Sequence, residues 1–300
     1  MTHRLIRWLP AAAVAAIVAA PAAPAAQAPA RGSAELIAQL SAKPTPRLNG
    51  KPDFNGTWDH LGGIEFVRPQ KLPDGSLCLR GCKPAAGAAR PAPAPAPAPV
   101  AAAAPRPAQP TPPEALFPKY KPEFLAKVKD LSARQVETDS ALKCLAPGVP
   151  RIGPPHKIVQ NAKEVVFLYD DVNGGFFRII PVDGRTTFRK DLPASFLGDS
   201  IGRFEADTLV VETTNFNEDT WLTDNGAFHT TGLKVVERLR RVGDTIEYTV
   251  TAHDPDVLVE PWNAKPYTMW ITAMELEEPA RCEDRDLDHV IDGTHHDNPR

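Results

Sequence analysis

From Lys157 to Leu276 the chain repeats one pattern: a short run rich in alternating apolar residues, a turn, then another run. The runs are KIVQ (157–160), EVVFLY (164–169), GFFRIIPV (175–182), DTLVVETT (207–214), GLKVVERLRR (232–241), DTIEYTVTA (244–252) and PYTMWITAMEL (266–276). Gly, Asn and Asp punctuate them at 171–175, 183–184, 205–207 and 242–244. Segments of this length and period are β-strands, and turns this short join antiparallel neighbours. In the 244–252 run, Ile246, Tyr248, Val250 and Ala252 share one face, while Thr245, Glu247, Thr249 and Thr251 share the other. A ribbon with one apolar and one solvated face must curl over its own core. The expected fold is mainly β: an antiparallel barrel or curled meander with one or two flanking helices.

Two segments supply the helices. SAELIAQLSA (33–42) offers Ser33 as N-cap and Leu36, Ile37 and Leu40 as an apolar stripe. Pro122 to Lys143 places Phe124, Leu125, Val128, Leu131, Val136 and Leu142 at helical spacing, in a helix broken in the middle. A first strand starts near Phe54 in PDFNGTWDHLGGIEFV. Residues 1–25 combine Arg4 and Arg7, the apolar run AAAVAAIVAA and small residues, the layout of a secretory signal peptide. This leader predicts a periplasmic or secreted bacterial protein. Residues 84–113 hold 11 Pro and 13 Ala, a composition that favours extended polyproline II over packed structure. The expected division is therefore 1–25 signal peptide, 26–83 N-terminal helix and first strand, and 84–113 linker. The β-barrel-like domain is 114–282, completed by 49–70, and 283–300 is a polar tail.

Charge narrows the partners. The formal net charge of −3 becomes −5 when Arg4 and Arg7 leave with the leader, 32 basic against 37 acidic residues. That balance lacks the basic footprint of a nucleic-acid binder, so no nucleic acid is expected. No apolar run long enough to span a bilayer remains outside the leader. Cys78, Cys82, Cys144 and Cys282 are even in number, and an oxidising compartment favours disulfides. Three connectivities are open; the preferred one closes Cys78–Cys82 and joins Cys144 to Cys282, with free buried thiols as the alternative. No P-loop, dinucleotide fingerprint, haem-attachment pair or metal-ligand spacing occurs, so neither cofactor nor metal is expected.

Chemistry is most legible around Glu237. Leu233, Val235 and Leu239 share its parity, so an inward apolar face carries a carboxylate with it. Without a partner, burial would raise its pKa and poise it as a general base. The competing reading ties Glu237 to Arg178 or Arg203 in a structural ion pair. His229 has the same parity but lies eight residues away, about 26 Å along a straight strand, so it belongs to the loop at the barrel mouth as a proton donor or orienting group. Trp221 and Trp262, in loop-like segments, with Arg238 and Tyr248, are candidate ligand contacts. Gly198-Asp-Ser200-Ile-Gly202 matches the G-x-S-x-G nucleophile elbow, but the elbow needs a strand before the Ser and a helix after it. RFEADTLVV follows instead, so a Gly-flanked turn is the better reading and a Ser200 hydrolase the lesser alternative.

Two resemblances rest on these residues. Gly56-Thr57-Trp58 resembles the lipocalin G-x-W signature, which implies a lipocalin-like barrel plugged at one end by Trp58. It also implies a late-strand Arg, Arg238 or Arg281, over that Trp. More broadly, GDSIGRFEADTLVVETTNF, HTTGLKVVERLRR and HDPDVLVEPW, with PDFNGTW and CLAPGVPR, resemble a family of secreted bacterial proteins of unassigned role across most of 49–262. That second resemblance implies no activity. The leading expectation is a barrel holding a small apolar or aromatic ligand and carrying a cofactor-independent acid–base reaction of lyase or isomerase type, with Glu237 as base and His229 assisting. The alternative is a non-catalytic carrier or envelope interaction module.

Overall fold

The computed structural model describes residues 29–61, 70–71, 77–78, 117–171 and 173–278. The segments expected to be signal peptide (1–25), linker (84–113) and polar tail (283–300) lie outside the described residues, as does Arg281.

The described chain is mainly antiparallel β. Two small ribbons, β1 (Arg47–Leu48) with β2 (Lys51–Pro52) and β4 (Gln70–Lys71) with β5 (Leu77–Cys78), stand apart from one large sheet. That sheet has 10 strands. They are β3 (Gly56–His60), β6 (Lys157–Gln160), β7 (Glu164–Asp171), β8 (Gly174–Pro181), β9 (Asp199–Glu205), β10 (Thr208–Thr214), β11 (Lys234–Val242), β12 (Thr245–His253), β13 (Trp262–Asn263) and β14 (Tyr267–Thr272). Their order is β8-β7-β6-β3-β14-β12-β11-β10-β9, with β13 beside β12. Each hairpin partner follows its neighbour in sequence, as short turns dictate; β3 closes the gap between the two halves by pairing with β6 and β14.

The two end strands, β8 and β9, meet side by side, so the sheet is a nearly closed barrel. A Cβ on Gly202 of β9 would lie 2.8 Å from Ile180 Cγ2 and 2.9 Å from Val182 Cγ1. Only glycine lets the backbones approach this closely. Inward positions alternate along every long strand: Val165, Phe167 and Tyr169 on β7, Val235, Glu237, Leu239 and Arg241 on β11, and Ile246, Tyr248, Val250 and Ala252 on β12.

Helix α1 (Ala34–Ser41) starts where expected, with Ser33 Oγ accepting the Leu36 amide at 3.2 Å. It docks on the β11–β12 turn: the Asp244 amide donates to Leu40 O at 3.0 Å, and Ser41 Oγ is 3.0 Å from Thr245 Oγ1. The second helical stretch is broken, as its spacing predicts, into a 3-10 turn at Pro122–Phe124, α2 (Leu125–Ala133), the single turn α3 (Gln135–Thr138) and another 3-10 turn at Ser140–Leu142. No helix among the described residues is long and apolar enough to cross a membrane.

Trp58 is 1% exposed and donates Nε1–H to Phe54 O at 3.0 Å. The cation over its ring is Arg241, with Cζ 5.0 Å from the centroid. Arg238 does not take this place. Its parity turns it to solvent, where its guanidinium bonds Glu205 at 2.9 Å. Arg241 has the inward parity, and its guanidinium also donates to Asp53 O and to Gly243 O.

Candidate functional site

Glu237 is fully buried on the inward face of β11, as its parity requires. It is not alone there. Arg178 of β8 faces it, Nη1 to Oε1 at 3.0 Å and Nη2 to Oε2 at 2.6 Å, and the Tyr248 hydroxyl donates to Oε1 at 2.8 Å. Arg178 also reaches the Tyr169 hydroxyl at 3.0 Å, Ser200 Oγ at 3.0 Å and Thr213 Oγ1 at 2.7 Å. Five strands (β7, β8, β9, β10, β11) and Tyr248 of β12 thus meet in one buried polar cluster.

The electrostatics follow from burial and pairing. Burial disfavours charge on Arg178, but the Glu237 carboxylate outweighs it and holds the guanidinium above its ordinary pKa. Burial pushes the Tyr169 and Tyr248 hydroxyls up, so both stay protonated and act as neutral partners. A carboxylate with both oxygens taken by donors is held in place rather than presented to a substrate. The ion pair with Arg178 is therefore the observed environment of Glu237, one of the two readings its sequence left open. Arg203, the other candidate partner, sits on the surface with Glu205 and Glu212.

Arg178 Nε is buried and has no hydrogen-bond partner among the described residues. An unpaired donor of this kind costs about 1–3 kcal/mol. Arg178 and Ser200 also line a cleft of about 540 Å³ that runs along the β8–β9 seam. Its lining also includes Phe176, Phe177, Ile179, Phe196 and Leu197, together with Arg185, Arg189 and Asp199. The seam is open here because no ladder joins β8 to β9. The Val182 amide donates to Lys163 O, and that register turns the amides and carbonyls of Phe177 and Ile179 away from β7. Phe177 and Ile179 are 61% and 51% exposed.

The remaining sequence candidates lie elsewhere. His229 is not in an open mouth: it is 2% exposed, with Nε2 2.7 Å from Thr220 Oγ1 and Nδ1 2.9 Å from Thr230 O. The carbonyl fixes Nδ1 as the protonated nitrogen, and burial lowers the pKa, so the ring is a neutral structural link. It shares no hydrogen-bond partner with Glu237. Trp221 is buried in the core beside Phe228, with the Arg151 guanidinium 5.8 Å from its ring. Trp262 pairs with Ala252 and borders a separate cavity of about 230 Å³ with Arg151, Asp224 and Tyr267. Tyr248 joins Glu237, but as its donor. Ser200 sits within β9 rather than on an elbow, and its hydroxyl bonds Arg178 and Thr213. Cys144 is disulfide-bonded; the pairings expected for it and for Cys78, Cys82 and Cys282 fall outside the described side chains. Among the described residues no three His, Cys, Asp or Glu side chains are grouped for a metal ion.

Arg178, the hub of this cluster, is missed as a lining residue by the sequence, which offers it only as an ion-pair partner. The available signal is its parity with Phe176 and Ile180 in GFFRIIPV. No protein-family model matches the chain, and no curated protein or solved structure matches it either.

Proposed function

We propose that this protein is a periplasmic or secreted binding barrel that holds a small apolar or aromatic molecule in the β8–β9 seam cleft, as a carrier rather than a catalyst. The observation that supports this reading most is the cleft itself. It offers about 540 Å³, within the usual range for a small-molecule site, between aromatic walls and a buried polar floor. The floor is rigid, because Arg178 and Ser200 are tied to Glu237, Thr213 and Tyr169. A preorganised floor costs little further ordering when a ligand arrives. The acid–base alternative asks Glu237 to give up Arg178 or Tyr248 before it could take a proton, which favours the carrier reading.

The test is a thermal-shift screen of aromatic, terpenoid and sugar compounds on the protein from residue 26 onward, with the recovered ligand read by mass spectrometry. A hit that raises Tm, is returned unchanged and is weakened by Phe196→Ala supports a seam carrier. A hit converted to a new product, with conversion abolished by Glu237→Gln, overturns it in favour of the acid–base enzyme.

A further inference from the structure

Resting on that seam-cleft reading, we infer that the ligand carries an anionic head group, rich in oxygen acceptors, on its apolar or aromatic body. The inference comes from counting side-chain donors against acceptors around the cleft. Arg178, Arg185 and Arg189 line it against a single carboxylate, Asp199. Both Asp199 oxygens are taken: Oδ1 by Arg189 Nε and Nη2 at 3.0 and 2.6 Å, Oδ2 by the Arg189 amide at 3.0 Å. Arg185 gives Nε and Nη2 to Asp183. Its Nη1, like that of Arg189, meets no acceptor among the described residues. Arg178 spends Nη1 and Nη2 on the buried cluster, and its Nε, without a partner among the described residues, is itself buried and not open to the cleft. Ser195 Oγ accepts from the Gly198 amide at 3.1 Å, which leaves its own proton to donate.

Arg185, Arg189 and Ser195 thus present donors that no side-chain acceptor takes, beside no unspent carboxylate oxygen, so a guest that brings the acceptors is the better match. Planar guanidinium groups suit carboxylate and phosphate geometry better than a lone hydroxyl or ether. Phe176, Phe177 and Phe196 line the same cleft as these donors, so an amphipathic organic anion matches both. Glu237 does not cancel this preference, because it faces the barrel interior and is already engaged by Arg178 and Tyr248.

A matched pair of fluorescent probes tests the charge alone. Anilinonaphthalene sulfonate and N-phenylnaphthylamine share their rings, and only the first carries an anion. The expected result is that the sulfonate binds the intact protein about tenfold tighter, as one charge-assisted contact would give. Arg185→Gln removes most of that difference without touching the buried cluster, and Arg189→Gln does the same, while affinity for the neutral probe is unchanged. Competition by naphthoate and by naphthyl phosphate then tells a carboxylate site from a phosphate site. Equal affinities for both probes, insensitive to the two arginine variants but weakened by Phe196→Ala, overturn the anionic head group and leave the seam cleft standing. Failure of both probes to bind, or binding insensitive to all three variants, overturns the head group and the cleft together.

Discussion

Removing Arg178 would strand the Glu237 carboxylate where no water reaches it, and that fixes the sign of the most informative substitution. Breaking a buried pair from one side leaves an uncompensated charge and costs about 3–5 kcal/mol. Arg178→Met and Glu237→Leu are each expected to lose that much by urea unfolding. The double variant should lose far less than the sum of the two, since neither charge is then buried alone. Additive losses would mean that the pair is not coupled as the 2.6 and 3.0 Å contacts imply. At this scale parity carried the reading a long way. Alternation along 233–241 is enough to turn Glu237 inward, and the same alternation puts Arg241 on the inner face and Arg238 outside. Arg238, one of the two arginines that the lipocalin resemblance offers for the place over Trp58, has the outward parity. His229 was harder, because its burial depends on Thr220 and Thr230 closing over both nitrogens, and no spacing in the sequence announces that contact.

Among elements, β9 is the one whose residues least resemble a strand. Asp199, Ser200 and Gly202 are poor strand formers, and they mimic a nucleophile elbow instead. What makes them a strand is pairing with β10 over Asp199–Thr214 through Glu205–Thr208, a tertiary fact that local propensity cannot supply. The long neighbours β7, β8, β10, β11 and β12 begin and end within two residues of their apolar runs, because alternation and turn residues agree there. Gly202 then does what its place demands, admitting Ile180 and Val182 where β8 meets β9. Its φ is not in the left-handed region, so a larger residue meets only steric resistance. Gly202→Val should push the two end strands apart and lower stability by about 1–3 kcal/mol, the usual penalty for overpacking. Because the cleft lies along the same seam, probe affinity should change with it. Unaltered stability would show that the seam is slack, and the barrel far less closed than the approach of Ile180 requires.

For the whole molecule, closure around a core makes stability depend on pH through histidines that have no room to charge. Burial is the main cause that lowers the pKa of both His156 and His229, against weaker pulls from the Thr230 carbonyl on His229 and from nearby carboxylates on both. His156 accepts the Asp170 amide on Nδ1 at 3.1 Å, so a proton there would break a bond as well as charge a buried ring. Around it stand His60, at 5.1 Å between ring centroids, and the carboxylates of Asp59, Asp170 and Asp171. In the unfolded chain both rings titrate near the ordinary value, about 6.5. Above that pH neither state binds the proton, and the full contribution to stability is present. Below it the unfolded chain takes protons that the barrel refuses, so stability falls as pH drops towards the folded values, by at most about 1.4 kcal/mol per pH unit for each ring. The lowered carboxylates, with Asp183 at about 2 the most displaced, lose their contributions only at more acid pH, so the two effects separate. Urea midpoints measured from pH 8 to 5 should hold level and then decline below about 6.5. His229→Asn, which cannot titrate, should start lower and decline less steeply. A midpoint that stays flat or rises over that interval would mean that the two rings are not shut away from protons, and the barrel not closed over them.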